Sequence, residues 1–175
     1  DDIQLSQLDT LGYDVISIGG DKFKFANGRV PFIEQMSGYF PKEKDNLVLY
    51  YDIIEKIAQA SSMHSLRYAE NDIVVNTFYQ TISINEVLED LFQDKLLRDV
   101  LVGNLPLYAA EKDKTPFSQH AFIMDFYNQS AFRVVGGSDR IASSLADTIC
   151  KFGGKVIPNS KVTKIFCNDT QATGI

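Results

Sequence analysis

The sequence predicts an α+β chain: a mixed, mostly antiparallel sheet with helices packed on one face. Three observations carry this expectation. Several segments repeat apolar residues at i, i+3, i+4 and i+7, the period of a helix with one buried face. Others alternate at period two, or are short apolar runs bounded by Gly, Pro or Asn, as strands are. The 175 residues are 45% hydrophobic, with 12 Phe and 8 Tyr, which supplies apolar surface for a real core and excludes intrinsic disorder.

Taken in order, Leu11 to Ile18 reads as a strand, and Lys22-Phe23-Lys24-Phe25 alternates before Asn27-Gly28, a tight-turn signal. A hairpin-like opening is expected. Pro31 suits the start of a helix carrying Phe32, Ile33, Met36, Tyr39 and Phe40, which Pro41 stops. Asp45 is a plausible N-cap for a longer helix whose Leu47, Tyr50, Tyr51, Ile54, Ile57 and Ala58 form one stripe. Residues 72–80 are rich in Val, Ile, Thr, Phe and Tyr and read as a strand, with a helix start nearby as the alternative. Ser83 and Glu86 have capping-box spacing and open a helix over 84–102, ended by Gly103. The run Glu111-Lys112-Asp113-Lys114 reads as a solvated loop. Phe117 to Tyr127 reads as a strand apolar on both faces, which would be covered by helices or by an apolar ligand. Phe122, Met124 and Phe126 on one side of it are candidate substrate-lining residues. Ala131 to Val135 is another short run. Ser138 then caps a helix with Ile141, Leu145, Ile149 and Phe152 up to Gly153-Gly154. Lys155–Pro158 and Lys161–Cys167 read as two short strands, and Asn168 to Gln171 as a turn into a returning strand.

Composition excludes several functions. The 17 basic and 23 acidic side chains leave a net charge of −6, opposite to what displacing counterions from a phosphate backbone requires, so no nucleic-acid partner is expected. No apolar run approaches the roughly 20 residues of a membrane span. The chain starts on Asp1-Asp2 without Met and is expected to be an excised piece. The two cysteines, Cys150 and Cys167, are too few for a disulfide scaffold and are expected as buried reduced thiols, in keeping with a reducing, cytoplasmic setting.

Catalytic sets are scarce. The two histidines, His64 and His120, are far apart, no two-histidine zinc helix occurs, and no metal site is expected. There is no nucleophile elbow and no Walker-type phosphate loop. His64 reads as a helix-terminal or surface residue, His120 as a satisfied core histidine. The carboxylates read as solvated charges. Aromatic pairs at 39–40, 50–51, 78–79 and 126–127 fit either a core or the lining of an apolar pocket.

Residues 132–175 hold the most specific pattern: a strand, Gly136-Gly137, an amphipathic helix, Gly153-Gly154, a strand, then Val162-Thr163-Lys164-Ile165 and a turn ending in Gly174-Ile175. This ordered set resembles the stretch by which flavin-dependent oxidoreductases of the phytoene desaturase and carotenoid isomerase group, in the flavin amine oxidase superfamily, return from substrate domain to FAD domain. Pro116-Phe117 with His120-Ala121, Leu8-Asp9 with Gly12, and Phe40-Pro41 extend the likeness upstream. The resemblance implies that residues 1–130 form the substrate-binding domain and 131–175 the start of the return into the FAD domain. It implies that Gly136 and Gly137 lie at the re-entry turn near the flavin, and that the backbone of Val162 lies beside the FAD adenine. The flavin does the redox chemistry in such enzymes, so few acid/base residues are needed. Val134 stands where the family commonly has Pro, and the Gly-x-Gly-x-x-Gly loop is absent, so the chain alone is not expected to hold FAD or to be active.

The implied parent is a FAD-dependent enzyme acting on carbon–carbon bonds of a long apolar, polyene-like molecule, as a desaturase, isomerase or saturase, with peripheral membrane contact as a possible accompaniment. Two alternatives stand beside it: a stand-alone apolar-ligand-binding module without catalytic activity, and an amine-oxidase-type flavoenzyme domain with a polar substrate. The catalytic residues, the reaction direction and the oligomeric state stay open.

Overall fold

Two consecutive glycines, Gly19 and Gly20, close the first hairpin with φ of +63° and +96°. A two-residue loop with positive φ at both positions matches the right-handed twist of the flanking strands, and glycine adopts it without steric cost. β2 (Asp14–Ile18) therefore pairs antiparallel with β3 (Asp21–Phe25), from Asp14 opposite Phe25 to Ile18 opposite Asp21. The tight turn expected at Asn27-Gly28 is instead a helix entry: Gly28, at φ +91°, stands at the N-cap of α1 (Arg29–Tyr39). The computed structural model of the chain describes residues 3–60 and 73–175.

The described chain forms two compact units. The larger, Gln7–Phe132, is helical around one core. Phe23 and Phe25 of β3 turn inward while Lys22 and Lys24 face water. α1 buries Phe32, Ile33 and Met36. After a 3-10 turn at Pro41–Glu43, α2 (Lys44–Gln59) buries all six residues of its expected stripe. Its N-cap is Glu43, and Asp45 lies in the first turn. Arg29 joins α1 to α2 through ion pairs with Asp52 and Glu55 and lies 5.4 Å from the centre of the Tyr51 ring.

Three expectations fail here. Within 72–80, residues from Ile73 onward form a helix, α3 (Ile73–Thr81), rather than a strand; Asp72 and His64 lie outside the described residues. Strand propensity is a preference for a pleated, half-buried surface, and here Tyr79 packs against Phe117 of a neighbouring helix with ring centres 5.7 Å apart. The helix read as continuous over 84–102 is two, α4 (Ile84–Leu91) and α5 (Lys95–Leu101). Ser83 and Glu86 do form the capping box of α4, with Glu86 N–H donating to Ser83 Oγ at 3.2 Å and Ser83 N–H to Glu86 Oε2 at 2.7 Å. Asp94 restarts the chain, its Oδ1 accepting from Leu96 and Leu97 N–H. Third, Phe117 to Tyr127 is not a strand but most of α6 (Phe117–Gln129), entered from Pro116. Its inner face holds Phe117, His120, Ala121, Met124 and Asn128, a helical spacing that alternate apolar residues concealed.

The smaller unit comprises residues 1–6 with Arg133–Ile175. β1 (Leu5–Gln7) forms a ladder with β4 (Phe132–Val134), and Val135 N–H donates to the Gln4 carbonyl at 2.9 Å. α7 (Asp139–Lys151) follows, with Ser138 at its N-cap position. Gly153, at φ +83°, donates to the Cys150 carbonyl, and Gly154 to that of Ile149, a Schellman ending that satisfies two terminal carbonyls. Of the two strands expected over 155–167, only β5 (Phe166–Cys167) exists, paired antiparallel with β6 (Ala172–Gly174) across the Asn168 to Gln171 turn. The expected single sheet is thus three separate two-stranded ladders among the described residues, and helix dominates the mixed α and β content. Cys150 and Cys167 are exposed free thiols, contrary to the expectation of burial. No described helix is long and apolar enough to cross a membrane.

Candidate functional site

The turn between β4 and α7 is set by two glycines. Gly136 and Gly137 have φ of +85° and +96°, a pair of left-handed residues that side chains would strain. The Gly137 N–H donates to the Val134 carbonyl at 3.2 Å, and its own carbonyl accepts from Arg140. A Cβ at Gly137 would meet open space, and one at Gly136 would approach only the Arg140 side chain. A bare, accessible backbone at a helix entry is what close approach of a phosphate-bearing or planar group requires. Val162 lies on the non-strand stretch before β5, half exposed, along an open groove of about 520 Å³ shared with Lys155, Lys161 and Phe166. Neither Gly136 nor Gly137 is among the residues that line that groove.

In the larger unit, the three residues read as one strand side are divided by the helix. Met124 is fully buried, its Sδ accepting from Asn104 Nδ2 at 2.9 Å. Phe122 and Phe126, one turn apart, pack edge to face at 4.8 Å on the outer side of α6, and Phe126 is exposed. The aromatic pairs divide similarly: Phe40, Tyr50 and Tyr51 belong to the core, while Tyr39, Phe78, Phe126 and Tyr127 reach the surface.

His120 is the polar centre of this core. It has no exposed surface, and both ring nitrogens are bonded, Nε2 to Tyr50 Oη at 2.9 Å and Nδ1 to Tyr108 Oη at 2.7 Å. Tyr50 is fully buried and its hydroxyl has no second partner among the described residues, so donating to Nε2 is what satisfies its proton. Nδ1 then carries the imidazole proton and donates to Tyr108. Burial pushes the His120 pKa down to about 3 and holds the Tyr50 hydroxyl well above its ordinary value. Such a histidine ties α2, α6 and the 3-10 turn Leu105–Tyr108 together and is sealed from acid/base work. Sequence reading identified a satisfied core histidine without its tyrosine partners, because a strand at 117–127 offered no register to find them. Among the described residues, no three His, Cys, Asp or Glu side chains converge as metal ligands do.

No protein-family model matches the chain. Among curated proteins it is 28% identical over 173 residues to the all-trans-retinol 13,14-reductase of Rattus norvegicus, covering 90% of this chain. It is 26% identical to that of Danio rerio over 87% of the chain, and 24% to that of Homo sapiens over 90%. The chain spans about 28% of the length of each of these relatives. The likeness to phytoene desaturases and carotenoid isomerases thus holds coarsely, and the homologues of this chain are oxidoreductases named all-trans-retinol 13,14-reductase.

Proposed function

We propose that this chain is the substrate-binding part of a FAD-dependent oxidoreductase that saturates a carbon–carbon double bond of a long, polyene-like alcohol. Residues 1–130 would supply the substrate domain, and 131–175 the return into the FAD domain. The observation that carries this reading is the alignment of 90% of the chain with a protein named for reducing one double bond of all-trans-retinol.

The chemistry agrees with the residues available. Saturating a double bond adds a hydride and a proton, and a bound flavin supplies the hydride-transfer chemistry. Gly136 and Gly137 would let the backbone approach the cofactor, and Val162 would border its adenine end. Phe122 and Phe126 would contact the apolar substrate and exclude water, with Met124 supporting them from the core side. His120, neutral and sealed, would keep α6 in register beneath them rather than exchange protons.

The test is the intact parent protein purified from cells. It should show visible flavin absorbance, whereas the 175-residue chain mixed with FAD should retain none after gel filtration. A colourless parent that fails to take up FAD contradicts the proposal.

A further inference from the structure

The helix break at 92–94 carries a second site. No Pro or Gly lies between α4 and α5; Asp94 starts α5 by accepting from Leu96 and Leu97 N–H with its own side chain. Glu43, at the 3-10 turn before α2, bonds the backbone of the break from a distant part of the chain. Its Oε1 accepts from Asp94 N–H at 2.7 Å, and its Oε2 from Asn46 Nδ2 at 2.7 Å.

Glu43 is 4% exposed, and among the described residues no lysine, arginine or histidine forms an ion pair with it. Both donors are neutral, so each oxygen keeps a lone pair for a further donor. The same carboxylate borders a cleft of about 660 Å³ lined by Tyr39, Phe40 and Pro41 together with Lys42, Asn46, Gln93 and Asp94. That size suits a small molecule, and its lining of apolar surface with a few converging polar groups is the usual make-up of a ligand site. Asp94 Oδ1 is taken by the Leu96 and Leu97 N–H groups and Arg98 donates to the Phe92 carbonyl at the break, so Glu43 is the carboxylate left to face a ligand in the cleft, and its charge favours a cation. The wall of Tyr39, Phe40 and Pro41 suits the apolar body of such a ligand.

We propose that this cleft binds a small organic ammonium ion, its charged head toward Glu43 and its apolar body against Tyr39, Phe40 and Pro41. The site is independent of the polyene reaction proposed above and would stand if that reading failed.

The experiment is a titration of the 175-residue chain with phenethylammonium and, as a neutral control of similar shape, 2-phenylethanol, followed by amide NMR shifts. The ammonium should bind at least about tenfold more tightly, with the largest shifts at Asn46, Gln93 and Asp94. Glu43→Gln should abolish that preference. Because loss of Glu43 could also disturb the break, Lys42→Glu is a second variant: Lys42 is exposed, and the added negative charge should tighten ammonium binding several-fold while leaving the melting temperature nearly unchanged. Equal affinity for the two probes, shifts away from the cleft, or an ammonium affinity insensitive to Lys42→Glu would overturn the proposal.

Discussion

α2 and α7 are both amphipathic helices with four or more apolar residues on one stripe, yet they end in opposite circumstances. In α2, Leu47, Tyr50 and Ile54 have no exposed surface. In α7, Leu145 is 60% exposed and no residue is buried, and Phe152 at its C-cap is 82% exposed. Periodicity therefore identifies which face of a helix is apolar, but not whether anything covers it. The larger unit has a core that closes on itself. The smaller unit is held by hydrogen-bonded turns and ladders rather than by packing.

The sharpest way to test that contrast is to remove one large side chain from each unit. Phe32→Ala in the larger unit empties a fully buried aromatic site and should cost about 3–5 kcal/mol, read as a large fall in the urea midpoint. A change below about 1 kcal/mol would mean that the core is not close-packed there.

Acid should act next. His120 has a folded pKa near 3 against an unfolded value near 6.5, so between these values the unfolded chain binds more protons. The stability due to a neutral His120 is fully present above about pH 6.5 and is lost as pH falls toward 3, by up to about 1.4 kcal/mol per pH unit. Urea titrations across this window should show the slope, and His120→Gln, which does not titrate, should flatten it. An unchanged slope would remove His120 as its source.

Gly103→Ala should have a smaller effect. A Cβ at Gly103 would stand 2.6 Å from Ile16 Cγ2, and moving that side chain should cost about 1–3 kcal/mol. Ser83→Ala removes the capping oxygen of α4 and should cost about 1 kcal/mol by thermal melt. Leu145→Ala comes last: in the 175-residue chain it should change stability by no more than about 0.5 kcal/mol. A loss of 2 kcal/mol or more would show that the α7 stripe is packed.

What the sequence revealed depended on whether the signal was local. The α2 stripe, the Ser83 and Glu86 box, the Gly153 ending of α7 and the turn at Asn168 are all readable because each arises from neighbours within a few residues. α6 was misread because its outer face also carries apolar side chains, Phe122, Ile123 and Phe126, which removes the polar stripe that marks a helix. The break before α5 was hidden because the apolar stripe runs through it and masks the Asp94 cap, while the contact from Glu43 comes from about fifty residues away. For the candidate site, the permissive backbone at Gly136 and Gly137 was legible from residue type, whereas the division of Met124 from Phe122 and Phe126 follows only once α6 is a helix. The two exposed cysteines went astray because apolar neighbours in sequence do not guarantee a partner in space.

The central claim, that this chain serves a reductase of a polyene alcohol, is tested most directly by the product formed by the intact parent. Incubated anaerobically with all-trans-retinol and a chemical reductant, then analysed by liquid chromatography and mass spectrometry, it should yield a product heavier by two hydrogen atoms, with a shortened conjugated chromophore. Unchanged retinol beside a fully flavin-loaded enzyme would contradict the account.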